Sequence, residues 1–392
     1  MNNENQHIPT GYKLSPLGII PEDWEVKRLG EVVTVNSGKD YKHLSIGNIP
    51  VYGTGGYMLS VNDRLSDIDA VGIGRKGTID KPQYLRAPFW TVDTLFFLTT
   101  KENYDLRFVF NLSQLVEWKK YSEQTGVPSL TSKSINNIQI AVPPLPEQHY
   151  IVSVLQLWDT AIAKQTALIE QLTLRKRGLM QQLLTGKKRL KGFEGEWKNI
   201  KIGSIAERIT RKNEEDNKNV VTISAQRGFV VQTDFFNKSV ASEILDGYFL
   251  VHKDEFCYNK SYSNGYPMGA IKRLKSFDKA VVTTLYICFR LKEKLRTNID
   301  FFEQYCESGL LNKELVKVAN EGGRAHGLLN VTPADFFNMH MRFPLIEEQT
   351  AIASVLVNAD KEIEIHKQKL AAMQEQKKGL MQVLLTGKKR IK

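Results

Sequence analysis

Apolar side chains recur along this chain in two different rhythms. Leu155, Ile162, Ile169, Lys176 and Leu183 fall seven residues apart, and Trp158, Gln165, Leu172 and Leu179 occupy the position three residues further on. This is an a/d heptad seam, the pattern of a long helix that packs on a helical partner. The pattern returns at Leu356, Ile363, Leu370, Lys377 and Leu384 (a), with Ala359, His366, Met373 and Leu380 (d). Pro143-Pro144-Leu145-Pro146 ends what precedes the first seam and puts prolines where a helix can start. Thr185-Gly186 and Thr386-Gly387 close the two helices with a glycine suited to the left-handed cap. Each seam holds a polar residue at one d level (Gln165, His366) and a lysine at one a level (Lys176, Lys377). Such residues fix register and partner. His366 reads as a seam residue rather than a metal ligand.

Elsewhere short extended runs alternate with Gly, Asn and Asp. The first globular stretch offers strands at Ile49–Tyr52, Ala70–Ile73, Thr94–Thr99 and Asn137–Val142, and a helix over Leu106–Tyr121. The second offers strands at Val220–Ser224, Phe256–Asn259, Gly269–Leu274 and Val281–Phe289, and a helix over Ile299–Asn320. The fold class is therefore α+β, with twisted antiparallel sheets.

The two rhythms belong to an internal repeat. KRGLMQQLLTGKKRLK begins at Lys176 and KKGLMQVLLTGKKRIK at Lys377, an offset of 201 residues. The same offset relates Glu147-Gln148 to Glu348-Gln349, Asp159 to Asp360, Gly126 to Gly327 and Thr131 to Thr332. Each half opens on a fainter echo, Trp24-Glu25-Val26-Lys27-Arg28-Leu29-Gly30 and Trp197-Lys198-Asn199-Ile200-Lys201-Ile202-Gly203, where the offset is 173. The interiors, about 31–125 and 204–326, show little similarity. The expected organisation is a globular domain over 1–146, a helix over 147–192, a second domain over 193–346 and a second helix over 347–392. Shared frames would build one scaffold while different interiors read different things. The two helices would bury their seams on each other as an antiparallel coiled coil with pseudo-two-fold symmetry. About 38 residues at ~1.5 Å each make a rod of roughly 57 Å, long enough to separate two readers by a DNA turn.

Composition then narrows the partner. Lys and Arg number 54 against 43 Asp and Glu, giving +11 and a pI near 9.3. That balance favours a polyanion, nucleic acid ahead of a membrane surface. No apolar run approaches a membrane span, and Met1 to Gly18 lacks the apolar core of a signal peptide. Three cysteines, Cys257, Cys288 and Cys306, show no C-x-x-C spacing and read as reduced thiols of a cytoplasmic protein.

Gly72-Ile73-Gly74-Arg75-Lys76-Gly77 spells a dinucleotide fingerprint, but Thr78-Ile79-Asp80-Lys81-Pro82 follows where a helix would have to start. Glycines around two cations suit a tight loop that presents Arg75 and Lys76, with Lys81 close behind, to DNA; a solvated turn is the alternative. In the second half, Lys260, Ser261, Tyr262, Asn264 and Tyr266, followed by Lys272 and Arg273, mix the groups that base edges and phosphates require. Arg227, Arg324 and His326 lie in other loops that could converge there. A polar surface loop is the alternative. The cations after each helix, Lys187-Lys188-Arg189 and Lys388-Lys389-Arg390, either complement the helix dipole or meet a partner or phosphate.

Catalytic signatures are missing from the sequence. There is no G-x-x-x-x-G-K-[ST] loop, no Asn-Pro-Pro-Tyr/Phe or Asp-Pro-Pro-Tyr, and no H-E-x-x-H. Glu117-Trp118-Lys119 has the E-x-K spacing of some nucleases without an obvious partner carboxylate.

Gly11-Tyr12-Lys13, Ile20-Pro21-Glu22-Asp23-Trp24, Pro143-Pro144-Leu145-Pro146-Glu147-Gln148 and Gly178-Leu179-Met180-Gln181-Gln182-Leu183-Leu184-Thr185-Gly186-Lys187 together resemble the specificity subunits of type I restriction-modification systems. The resemblance covers the whole chain. It implies two target recognition domains on a helical spacer, each reading one half of a bipartite asymmetric sequence in double-stranded DNA. It also implies two modification subunits carrying S-adenosylmethionine, and restriction subunits using ATP and Mg, so that this chain binds no cofactor and catalyses nothing. Base contacts do not transfer with it. A fragment of a combined restriction-methylation enzyme would need a catalytic motif upstream, whereas the chain opens on Met1 and closes on a full second repeat. A coiled-coil adaptor without DNA contact is a third reading.

Overall fold

The computed structural model describes residues 8–123, 126–232, 245–292, 297–319 and 329–390. The chain divides into two compact units, Met1–Thr166 with Gln368–Lys392, and Ala167–Lys367. The long helices run over Leu145–Leu183 and Ile346–Leu384. The division falls inside them, so each unit contains a globular part and one half of each helix.

In the first unit, Glu25–Arg28 pairs with Gln139–Val142, so the chain enters and leaves the globular part on adjacent antiparallel strands. A short helix, Leu29–Val32, leads into a four-stranded antiparallel sheet in the order Val33–Ser37, Leu95–Thr100, Ala70–Gly74, Gln83–Leu85. The hairpin Ile46–Gly53 and Gly56–Val61 adds a smaller sheet in which Val51-Tyr52 runs parallel to Trp90-Thr91. The core gathers Trp24, Phe108, Trp118 and Leu155 together with Met381, Leu384 and Leu385 from the end of the second long helix.

The second unit repeats this plan. Lys198–Lys201 pairs with His340–Phe343, a short helix Ile202–Ile205 follows, and the four-stranded sheet has the order Ala206–Ile209, Ile287–Leu291, Phe256–Asn259, Ala270–Arg273. Its hairpin is Val221–Ser224 and Gly228–Val231, and Val220 bridges in parallel to Val281 as Val51 does to Trp90. Met180, Leu183 and Leu184 close its core with Phe256, Phe289 and Phe336. The interiors, dissimilar in sequence, thus share one topology.

Three expected elements are divided. Leu106–Tyr121 is a helix over Leu106–Ser113 and a single 3-10 turn over Trp118–Tyr121. The indole of Trp118 is buried and donates to the Ser113 carbonyl at 2.8 Å, which turns the chain inward and ends the first helix. Ile299–Asn320 breaks at Gly309 (φ +75°) into Ile299–Glu307 and Asn312–Val318; Asn320 lies outside the described residues. Val281–Phe289 is two strands, Lys279–Val282 and Ile287–Leu291, because each pairs with different neighbours.

The seam residues are buried or half-buried in every case: Leu155, Leu172, Leu183, Leu356, Ile363 and Leu384 fully, and Trp158, Ile162, Ile169, Leu179, Leu370, Met373 and Leu380 in part. The seam lysines find carboxylates on the opposing helix. Lys377 Nζ meets Asp159 at 2.6 Å in the first unit, and Lys176 Nζ meets Asp360 at 2.6 Å in the second. In both units the helix segments run antiparallel, since the start of one helix lies against the end of the other.

Both helix ends are pinned by the same clasp. In the first unit Trp24 Nε1 donates to Glu147 at 3.1 Å, and Arg390 donates to Glu147 at 3.1 and 2.7 Å and to Asp23 at 3.0 and 2.9 Å. In the second, Trp197 Nε1 donates to Glu348 at 3.1 Å and Arg189 donates to it at 2.6 and 2.7 Å. The cap glycines sit on these tryptophans. Gly186 and Gly387 have φ of +70° and +69°, and a Cβ on Gly387 would fall 2.5 Å from Pro21. Gln148 and Gln349 each accept from the N-cap backbone of a globular helix (Asp105 and Asn298, both 2.9 Å) and donate to a proline carbonyl. The repeated Glu-Gln pair is therefore a joint between helix and globule. Arg189 and Arg390, expected to be solvated or bound to a partner, are taken up inside the chain, while the lysines before them are exposed.

Candidate nucleic-acid interface

The two loops singled out in the sequence occupy one topological position. Gly74–Gln83 joins the third strand of the four-stranded sheet to its edge strand in the first unit, and Asn259–Ala270 does so in the second. Each is pinched by a glycine. A Cβ on Gly74 would stand 2.1 Å from the Thr78 carbonyl, and one on Gly269 (φ +74°) would stand 2.3 Å from the Asn259 carbonyl. Each is braced by the segment that the 201-residue repeat preserves. Leu130 N donates to the Arg75 carbonyl at 2.9 Å, and Leu329 N to the Lys260 carbonyl at 3.1 Å.

In the first unit Arg75, Lys76 and Lys81 are exposed, and among the described residues none of the three pairs with a carboxylate. The Arg75 guanidinium stands 5.7 Å from the Phe96 ring centre, which steadies it without neutralising it. No helix begins at the glycines, so the dinucleotide fingerprint has no helix N-terminus behind it.

The second loop is different. Tyr262 is 62% exposed at its tip, Asn264 is exposed, and Lys260 and Ser261 are half-buried. Arg227 is exposed on a hairpin that converges on this loop, since Gln226 Nε2 donates to the Asn264 carbonyl at 2.9 Å. Gln226 escaped the sequence reading; its signal was a polar pair before a glycine between two extended runs.

Tyr266, Lys272 and Arg273 have structural partners instead of open faces. Lys272 Nζ donates to Glu307 at 2.6 Å and to the Tyr266 hydroxyl at 3.1 Å, and that hydroxyl donates to Glu307 at 2.8 Å. Burial, reinforced by Glu307, pushes the Tyr266 hydroxyl well above its ordinary pKa. Arg273 is held by Asp254 at 2.5 Å, Asp300 at 2.7 Å and Glu303 at 3.4 Å. Their charges are spent on Asp254 and on the helix Ile299–Glu307. Arg324 and His326 lie outside the described residues.

Glu117 pairs with Lys120, Lys119 with Asp80 at 2.7 Å, and Trp118 is buried between them, which divides the E-x-K triplet. Among the described residues no group of His, Cys, Asp and Glu could hold a metal ion, and no helix is long and apolar enough to cross a membrane. Cys257 and Cys288 are buried free thiols.

Residues 21–174 match the family model described as the type I restriction modification DNA specificity domain. The chain is 25% identical to the MjaVIII type I restriction enzyme specificity subunit of Methanocaldococcus jannaschii, over 95% of this chain and 94% of that one. It is 26% identical to the putative MjaX specificity subunit of the same organism, over 97% of each. Over nearly its whole length the chain is thus similar to type I specificity subunits, and residues 21–174 match their DNA specificity domain. The crystal structure of the type I S subunit from M. genitalium shares the fold, with a TM-score of 0.55 at 15% identity over 95% of this chain and 98% of that one.

Proposed function

We propose that this chain is the non-catalytic DNA-reading subunit of a type I complex, and that its two units read the two halves of a bipartite, asymmetric target. One observation carries the reading. The same sheet position bears an exposed cationic loop, Arg75-Lys76, in one unit and an exposed aromatic-amide loop, Tyr262 to Asn264, in the other. A scaffold that presents different chemistry twice suits two different half-sites. The cations would hold phosphates, and Tyr262, Asn264 and Arg227 would meet base edges.

The long helices set the gap between half-sites and dock two modification subunits, and restriction subunits join that assembly. S-adenosylmethionine, ATP and Mg belong to those partners, in the cytoplasm. The test is an exchange of residues 31–125 for the interior of another specificity subunit, read by mapping methylated sites in the host genome. One half of the methylated sequence should change and the other should not. Change in both halves, or in neither, would defeat the two-reader proposal.

A further inference from the structure

In the second unit the tip of the hairpin that carries Gln226 and Arg227 is tied to the exposed loop. The first unit has a hairpin at the same place in its topology, and its tip, Gly53-Thr54-Gly55-Gly56, is tied to the far end of the cationic loop. Gln83 Nε2 donates to the Gly53 carbonyl at 2.8 Å. We infer that this tip is a second DNA-reading element of the first unit, entering the major groove as a two-stranded ribbon with Thr54 and Tyr57 toward base edges.

The inference rests on the DNA-reading proposal and deepens it. A two-stranded ribbon is the right width for a major groove. The space beyond Gly55 and Gly56 is open, so the backbone of the tip can approach a base pair closely. Tyr57 is 63% exposed, its ring steadied edge-on by Tyr52 at 6.5 Å, and its hydroxyl shares one hydrogen bond with Ser60 Oγ at 3.1 Å. One hydrogen-bonding position of that hydroxyl is left over.

A cleft of about 720 Å³ separates the tip from Asp40, Tyr41 and Lys42 and from Asp93 and Thr94. The Thr94 carbonyl accepts from Arg75 N at 2.7 Å, so the cleft adjoins the cationic loop. Its charge pattern suggests what it takes. Two exposed carboxylates, Asp40 and Asp93, repel phosphate but accept hydrogen bonds from the exocyclic amino group of a base, cytosine above all. Exposed Lys42 at the rim can hold the neighbouring phosphate.

The experiment uses the full chain assembled with its modification subunits, comparing Tyr57→Ala, Asp93→Asn and Lys42→Ala with Arg75→Ala. Methylated sites are mapped, and binding to the mapped target is titrated across salt concentrations. Tyr57→Ala and Asp93→Asn should each weaken the target about 5- to 100-fold. Only the half-site read by the first unit should relax. Lys42→Ala should weaken all sequences alike and lower the salt slope by about 1. If Tyr57→Ala unfolds the first unit, Tyr57→Phe, which keeps the ring and removes only the exposed hydroxyl, still decides. Unchanged methylation and affinity in the folded Tyr57 variant, while Arg75→Ala weakens binding, would overturn the tip assignment alone. If Arg75→Ala and the interior exchange are silent as well, the DNA-reading proposal itself fails.

Discussion

The loop from Gly74 to Gln83 and the loop from Asn259 to Ala270 join corresponding strands in the two units, yet they handle charge in opposite ways. In the first, three cations face solvent and, among the described residues, none forms an ion pair, Asp80 being taken by Lys119. In the second, the cations on the strand after the loop turn inward to Glu307, Asp254, Asp300 and Glu303, and the exposed tip is left to Tyr262 and Asn264. The contrast teaches that a cation in a sequence is not yet a cation available to a ligand. Its availability depends on which carboxylates the fold brings alongside, and those lie 19 to 35 residues away.

The contrast can be broken at either loop. The largest effect is expected on stability in the second unit. Glu307→Gln leaves Lys272, only 9% exposed, without its carboxylate and should cost about 3 kcal/mol. Calorimetry should show the loss, and the salt slope of DNA binding should stay as it is. A changed slope would make Lys272 a DNA contact after all.

Next comes Tyr262→Ala, expected to weaken the cognate target by about 2 kcal/mol and to relax only the second unit's half-site in the methylation map. Arg75→Ala combined with Lys76→Ala should lower the salt slope by about 2 and leave the melting temperature within error. Retained slope would make this loop a solvated turn. The two clasps should differ, one giving the smallest effect and the other rivalling the largest. Arg390, at 36% side-chain exposure, clasps a partly exposed site, so Arg390→Ala should cost about 1 kcal/mol. Arg189→Ala strands Glu348, at 3% exposure, and should cost closer to 3 kcal/mol. Equal losses would mean that burial does not separate the two clasps.

Both long helices were legible because their heptads are local and their ends carry proline at one side and glycine at the other. The seam lysines were legible as register devices, and Asp159 and Asp360 now account for them. The shared sheet order of the interiors was not legible, because strand pairing such as Phe96 to Ser37 or Cys257 to Cys288 joins positions far apart and tolerates almost any β-forming side chain. The helix expected over Leu106–Tyr121 failed for a related reason, since one buried indole outweighed local propensity. The two candidate loops stood out by composition; that they are one position seen twice needed the fold. That Lys272 and Arg273 are paired with carboxylates could not be read from the sequence, because the partners lie far along the chain.

The clasps also order events in time. Residues 167–367 are contiguous, so the ribosome delivers everything the second unit contains before the last stretch of the second helix emerges. The first unit, begun before the second, receives Met381, Leu384, Leu385 and Arg390 only after the whole of the second has been made. The half of the protein that is begun first is therefore the half that is finished last.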